Sequence, residues 1–268
     1  MQKKPSVRRT PMTQNDLSCM RGATALITGS AQRIGRAIAL ACADNGMNVV
    51  VHYNRSLADA HDLVVLCRKK GVSAWPVAAD IGTDDGCAKC IDDAIAASGK
   101  TLSVLVNNAS IFPESTLADM TFDDLVGSMR INAWAPLFLS RAFAERTAFS
   151  RGRREQGRRR CVVNILDNRK IGRDRGHVAY LLSKRMLASI TRLCALELAP
   201  AVRVNGVAPG LILPPAGKSD AYLDKLKNGV PLRAHGSPSD IAAAVIFCAR
   251  SPFLTGEIIT VDGGKHLL

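Results

Sequence analysis

Thr24-Ala25-Leu26-Ile27-Thr28-Gly29-Ser30-Ala31-Gln32-Arg33-Ile34-Gly35 is the stretch on which the fold of this chain turns. A short apolar run over 24–28 reads as a strand, and a helical pattern opens at Arg33 with no spacer beyond the turn. In such a unit Gly29 permits the tight turn and Gly35 lets the helix pack closely. The freed N–H groups at the helix start, at Arg33 and Ile34, then face a pyrophosphate. Arg33 stands where the middle glycine of the usual pattern would be, and its cation can pair with phosphate while leaning into a site. A Gly-rich turn alone is a weak signal, so its surroundings carry the weight.

Outward from that turn, short β-branched runs alternate with longer helical stretches. Strands are expected near Thr24–Thr28, Asn48–Tyr53, Ser73–Ala79, Ser103–Val106, Cys161–Leu166, Arg203–Val207 and Ile258–Val261. Helices are expected near Arg33–Asn45, Leu57–Lys70, Asp84–Ser98, Phe122–Thr147, Val178–Leu198 and Ser239–Ala249, with a short one around Asp220–Lys227. This order predicts βαβ units in one doubly wound α/β domain of the Rossmann type, with a seven-stranded parallel sheet over residues 23–268. The third strand ends at Asp80-Ile81, where Asp80 could contact an adenine. The second ends in His52-Tyr53-Asn54-Arg55-Ser56, without the acid that would bind both ribose hydroxyls and repel a 2′-phosphate. Arg55 can instead make charge-assisted bonds to that phosphate, with Asn54 and Ser56 as neutral donors, so NADPH is the expected cofactor.

The 268 residues, 47% hydrophobic, suffice for one large core. The net charge of +13 invites a nucleic-acid reading, but two short stretches hold +9 of it. Residues 1–23 carry five cations against Asp16, and residues 151–160 carry six arginines against Glu155. Neither is interleaved with stacking aromatics, so no nucleic-acid partner is expected and residues 150–160 read as a solvated arginine-rich loop. Residues 1–22 read as a disordered basic extension; a mitochondrial presequence is the rival, opposed by Pro5 and Pro11, and Met12 or Met20 could be the true start. No apolar run approaches the ~20 residues that cross a bilayer, so no membrane partner is expected. Eight scattered Cys and no secretory signal point to reduced thiols in the cytoplasm. Cys87-Ala88-Lys89-Cys90 lacks the second ligand pair that zinc needs, and no metal is expected.

Tyr180 and Lys184 are four apart in Tyr-Leu-Leu-Ser-Lys and share one helix face, so the ammonium can sit beside the phenol. A cation there favours phenolate and draws the Tyr pKa below its usual value of about 10, which makes a proton donor near neutral pH. Thirteen residues earlier stands Asp167, where a hydroxyl would be expected. A hydroxyl would stabilise a carbonyl oxygen that turns negative. An ionised carboxylate repels such an oxygen and suits a substrate protonated on nitrogen, so C=N reduction is favoured over ketone reduction. His177 reads as a helix-start residue rather than a catalyst.

Together these residues resemble the short-chain dehydrogenase/reductase family over nearly all of the chain from Thr24 onward. The stations are Thr28-Gly29, Asn107-Asn108-Ala109, Asn132, Tyr180-x-x-x-Lys184, Asn205, Pro209-Gly210 and Asp262-Gly263-Gly264. The resemblance implies that Tyr180 donates the proton, that Lys184 also holds the nicotinamide ribose, that Asn132 helps carry a water relay, and that Pro209 and Gly210 border the nicotinamide. Within the family the chain looks like the pteridine reductases and bacterial dihydromonapterin reductases, through Arg33, His52-Tyr53-x-Arg55-Ser56, Ser110, Phe112 and Asp167. That implies a pterin stacked on Phe112, with Ser110 and Arg33 touching pterin and phosphates, and a homotetramer. The loop Pro214–Asp220 departs from the pattern, being short and without an evident aromatic lid.

The expected reaction is NADPH-dependent reduction of a dihydropterin (dihydromonapterin, dihydrobiopterin or dihydrofolate) to the tetrahydro form. The rivals are an NADPH-dependent carbonyl or 3-oxoacyl reductase, which Asp167 opposes, and a dinucleotide-binding regulatory protein without turnover, which intact Tyr180, Lys184 and Asn132 oppose.

Overall fold

The computed structural model describes residues 20–147, 160–168, 175–215, 217–219 and 221–268. Residues 1–19 and 151–159, and with them most of the basic extension and the arginine-rich loop, lie outside the described residues.

Seven strands, β1 (Thr24–Ile27), β2 (Asn48–Tyr53), β3 (Ala74–Ala78), β4 (Val104–Asn107), β5 (Cys161–Ile165), β6 (Arg203–Pro209) and β7 (Ile258–Val261), form one parallel sheet in the order β3-β2-β1-β4-β5-β6-β7. Both faces are covered. One carries α1 (Arg33–Asp44), α2 (Leu57–Lys69) and the late helix Pro238–Arg250, packed on Ala25, Ile27, Val49, Val51, Val104 and Val106. The other carries α3 (Asp84–Ser98) and the helices Ala135–Thr147 and Val178–Glu197, packed on Leu26, Val50, Leu105 and Val162. Alternate residues of each strand thus enter opposite layers, as the period of two requires. The strands read as continuous apolar runs because neither face meets water. The strand order reverses between β1 and β4, and that crevice at the carboxyl ends is where an open α/β sheet binds its ligand.

The helix expected over Phe122–Thr147 is interrupted. An α-helix, α4 (Phe122–Met129), gives way to a π-helical turn over Arg130–Trp134 before α5 (Ala135–Thr147) resumes. Pro136 explains the break: it has no N–H for the carbonyl of Asn132, four residues back, and its ring crowds that carbonyl. The backbone widens instead, and Ala135 N–H bonds to the Arg130 carbonyl, five residues back. Single π turns of this kind often mark functional positions.

Other bounds move by one or two residues. The helix expected at Val178–Leu198 is α6 (Val178–Glu197), and the short α7 (Ala221–Leu226) ends in a 3₁₀ turn at Lys227–Gly229. The last α-helix, α8 (Pro238–Arg250), starts before the expected Ser239, because Ser237 and Asp240 form a reciprocal cap and Pro238 suits the first turn. Strand β6 runs past Val207 to Pro209 because β7 keeps pairing with it, Pro209 opposite Val261. The folded body also begins earlier than residue 23. Met20 is buried against the core, and Gly22 N–H bonds to the Gly46 carbonyl at 2.8 Å.

Cys87 and Cys90 face the core from α3, and burial pushes both thiols up to about 12. That opposes the thiolate form a metal would need. Among the described residues no cluster of His, Cys, Asp or Glu is placed to hold a metal, and no helix is long and apolar enough to cross a membrane.

Candidate active site

The turn after β1 is fastened to the end of β4, across the point where the strand order reverses. Thr28 Oγ1 accepts the backbone N–H groups of Asn108 and Ala109, each at 3.0 Å. Asn108 Nδ2 donates back to the carbonyls of Thr28 and Gly29 at 2.9 and 3.0 Å. No side chain fits at the two glycines. A Cβ on Gly29, which sits at φ +59°, would come within 2.9 Å of Ala109 Cα; one on Gly35 would meet Asn108 Nδ2 and the Gly29 carbonyl at 2.5 Å. The entrance to α1 is open to an anion, since Gln32 caps no N–H with its side chain and the first turn holds no acid. Ile34 is half-buried beside it.

Arg33 occupies the missing glycine's position in the backbone as well as in the sequence, with φ +52°. That left-handed conformation is uncommon for a residue with a side chain, and such outliers cluster at functional sites. Its guanidinium donates to the carbonyl of Pro214 at 2.8 Å, joining the glycine turn to the loop after β6.

At the end of β2, Asn54 and Arg55 are exposed, Tyr53 is half-buried, and Ser56 starts α2 without using its hydroxyl as a cap. Gln32 Nε2 holds Asp59 of the first turn of α2 at 2.6 Å, a link between the two helix starts that the sequence did not suggest. At the end of β3, Asp80 is exposed and accepts Gly82 N–H at 2.9 Å, while Ile81 is buried. Residues 28–35, 53–56, 80–81 and 108–110 thus follow the carboxyl ends of four neighbouring strands, as an extended dinucleotide requires.

Tyr180, Lys184 and Asp167, the residues expected to carry chemistry, lie on the other side of that crevice. Tyr180, in the first turn of α6 and only 7% exposed, donates its hydroxyl to Asp167 Oδ2 at 2.8 Å. The carboxylate thirteen residues upstream therefore reaches the phenol. Lys184 lies one turn further along α6; its Nζ donates to the Ile165 carbonyl at 2.9 Å and stands 5.8 Å from the centre of the Tyr180 ring. It is not hydrogen-bonded to the phenol, but that separation still lets a charge act through space. Burial lowers the Lys184 pKa from 10.5 to about 8, against the pull of the Asp167 charge.

Asn132 is placed by the π turn, and its side chain ties three segments together. Its Oδ1 accepts Ser110 Oγ–H and Ile111 N–H, both at 2.9 Å, and its Nδ2 donates to the Ile111 carbonyl and to Ser183 Oγ, both at 3.0 Å. Ser183 Oγ donates in turn to the Tyr180 carbonyl at 2.6 Å. The side chain thereby fixes the strand end that carries Phe112 and the helix that carries Tyr180.

Phe112 is 38% exposed, with its ring edge-on to Tyr180 at 4.6 Å between centroids. His177 lies against it, 3.9 Å between centroids and 13° from parallel. His177 does begin α6 as the sequence suggested, but it uses no side-chain cap and lays its ring on the aromatic wall. The legible signal was its position one turn before Tyr180 on the same helical face. A second contact was not foreseen. Asn168, next to Asp167, donates its Nδ2 to Asp262 Oδ2 at 2.6 Å and its N–H to the Pro209 carbonyl at 3.3 Å. Gly210 packs so closely on Asp262 that a Cβ there would lie 2.5 Å from Asp262 Cα. Asp262 also accepts His266 N–H at 2.7 Å, so it links the segment after β5, the Pro209-Gly210 loop and the C-terminal turn.

The chain is similar to known proteins over most of its length. Residues 29–266 match the family described as enoyl-(acyl carrier protein) reductase. Pteridine reductase 1 of Leishmania tarentolae is 34% identical, with 91% of this chain and 96% of that protein covered. The 3-oxoacyl-[acyl-carrier-protein] reductase FabG of Staphylococcus aureus is 30% identical over 91% of this chain and 98% of its own length. The crystal structure of FolM alternative dihydrofolate reductase 1 from Brucella suis, in complex with NADP, superimposes with a TM-score of 0.83 at 29% identity, covering 92% of this chain and 96% of that one. With a glycine turn fastened to β4, a Tyr–Lys pair on α6 and a family match across almost the whole fold, the chain belongs to the short-chain dehydrogenase/reductase family.

Proposed function

We propose that this protein is an NADPH-dependent reductase that converts dihydropterins to tetrahydropterins. The observation that carries the reading is the 2.8 Å hydrogen bond from the Tyr180 hydroxyl to Asp167. A carboxylate occupies the place where a carbonyl reductase would present a hydroxyl to a growing oxyanion. The kinship to pteridine reductase 1 and the likeness to an alternative dihydrofolate reductase support the same substrate class. The kinship to FabG keeps 3-oxoacyl reduction as the second reading, and Asp167 stands against it.

When bound, NADPH supplies the hydride, which goes to C6 of the pterin, while a proton is required at N5. Tyr180 holds a proton against Asp167 and delivers it to the ring nitrogen, and the carboxylate stabilises positive charge on that ring. Lys184 keeps a cation near the phenol. Phe112 and Ser110 form one wall of the slot; the flat ring lies against Phe112, and orientation there contributes to rate. Dihydromonapterin, dihydrobiopterin and dihydrofolate all present the required C=N bond. NADPH oxidation measured against these dihydropterins and acetoacetyl thioesters tests the reading; fastest turnover of a thioester would exclude it.

We assign the 2′-phosphate to Arg55, with Asn54 and Ser56 beside it. In Arg55→Ala, the KM for NADPH is expected to rise by the equivalent of about 1.5–3 kcal/mol, the worth of a hydrogen bond to a charged group, while the KM for NADH stays nearly constant. Equal effects on both cofactors would place the phosphate elsewhere.

The Lys184 shift predicts a pH dependence. Burial favours the neutral amine, so the ammonium is lost as pH rises through about 8 rather than 10.5. The kcat/KM for NADPH, which reports free-enzyme groups, should therefore fall between about pH 7.5 and 9. A flat profile over that range would remove Lys184 from the role.

We further propose a homotetramer in the cytoplasm. The outer face of α6 exposes Leu182, Met186, Leu193 and Leu196, an apolar stripe that a second copy would cover. The seven described cysteines are free and buried, as a reducing compartment allows.

A further inference from the structure

His52 lies beneath the cofactor end, and only 2% of its surface is exposed. It precedes the residues assigned to the 2′-phosphate, yet it faces the interior. Gly29 donates its N–H to His52 Nδ1 at 3.1 Å. Ser30 donates its N–H to the His52 carbonyl at 3.1 Å, and the Ser30 hydroxyl reaches the same carbonyl at 3.4 Å. The opposite ring nitrogen, Nε2, stands 3.1 Å from the carbonyl of Ala79, immediately before Asp80.

These partners allow one tautomer. A carbonyl can only accept, so Nε2 carries the hydrogen; an N–H can only donate, so Nδ1 presents its lone pair to Gly29. An imidazolium would set two N–H groups against each other at the turn. Burial pushes the His52 pKa down to about 4, against the bond to Ala79 and the charge of Asp80, so the ring is neutral at physiological pH. One neutral ring thus joins the phosphate turn, the adenine end at Asp80 and the strand that leads to Arg55.

We infer that His52 is a positioning residue for the dinucleotide, and that the acceptor at Nδ1, which holds the Gly29 N–H, is its operative group. Without that acceptor, the N–H at the start of a left-handed turn loses its partner, and the turn is free to rotate. The following N–H groups of Arg33 and Ile34 then no longer converge on a pyrophosphate. The inference concerns the dinucleotide site and does not depend on which substrate is reduced.

Three variants separate the two ring bonds. In His52→Asn the amide oxygen falls near the Nδ1 position and can accept from Gly29. In His52→Gln the longer amide can donate to Ala79 but withdraws the acceptor from Gly29. His52→Leu removes both. NADPH dissociation constants from fluorescence titration without substrate, with melting temperatures of the cofactor-free proteins, are the readout. His52→Asn should bind within about threefold of wild type, whereas His52→Gln and His52→Leu should weaken by about tenfold or more, as expected when a donor loses its acceptor. Equal weakening in all three would mean packing alone, loss in His52→Asn with retention in His52→Gln would make Ala79 the operative contact, and unchanged affinity throughout would leave the ring without a role; each overturns the inference. If His52→Leu does not fold, the Asn and Gln pair still decides. Failure of wild type to bind NADPH would strike the cofactor assignment itself, and failure of pterin turnover alone would leave this result standing.

Discussion

Tyr180→Phe is expected to lower kcat by roughly 10²–10⁴-fold, the contribution of a positioned general acid, with NADPH affinity close to wild type. The phenyl ring keeps its edge contact with Phe112 and its place on α6, so little but the proton is removed. The buried hydroxyl donates to Asp167 at 2.8 Å, and Tyr180→Phe removes that one hydrogen bond. Lys184→Ala should lower turnover on a similar scale, yet with weaker cofactor binding, because Lys184 is also assigned to the nicotinamide ribose. The two variants are therefore told apart by NADPH titration. Wild-type rates in Tyr180→Phe would overturn the proton-donor assignment.

In the proposed function, Asp167 is the residue that distinguishes pterin reduction from the commoner carbonyl chemistry. Transition-state stabilisation is specific to the charge that develops, and a carboxylate beside a forming oxyanion raises the barrier that it lowers beside a protonated ring. Asp167→Ala is expected to lower kcat for dihydropterin by at least about tenfold, the equivalent of about 1.4 kcal/mol. Asp167→Ser should lose pterin turnover as well and gain weak ketone reduction, since its hydroxyl can donate where the carboxylate could not. Steady-state kinetics of wild type and both variants on dihydrobiopterin and a simple diketone compare the two chemistries directly. A wild type that preferred the diketone, with pterin turnover indifferent to Asp167→Ala, would sink the C=N assignment. The bond from Asn168 to Asp262 should keep the neighbouring backbone in place in both variants, so lost rate there reports charge rather than collapse.

The residues that define the fold were legible because they act over short range. The short β-branched runs and the helical apolar patterns between them placed seven strands within two residues of their observed ends, and the glycine turn marked the crevice beside β1. The Tyr180–Lys184 pair was legible for the same reason: four residues apart on a helix means one face whatever the rest of the protein does. Asp167 was suspected from its spacing to Tyr180 and from the family resemblance, but only packing of β5 against α6 brings its carboxylate to the phenol.

Tertiary structure decided the rest, wherever the partners are distant in sequence or the backbone departs from its local preference. Apolar periodicity runs unbroken through Phe122–Thr147 and Pro136 is the local mark of a break there, but only the folded chain shows that the widened turn aims Asn132 at Ile111 and Ser183. Arg33 looked like a substituted glycine; its φ of +52° and its reach to Pro214, 181 residues away, exist only in the folded chain. His52 read as part of a cofactor mark at the end of a strand, whereas its partners at Gly29 and Ala79 come from strands that flank β2. The sequence by itself determined which elements form and which chemical groups stand at their ends, because propensity and period act between neighbours. Which of those groups meet, and at what distance, was set by the order in which the strands pack, because that order joins residues no local pattern connects.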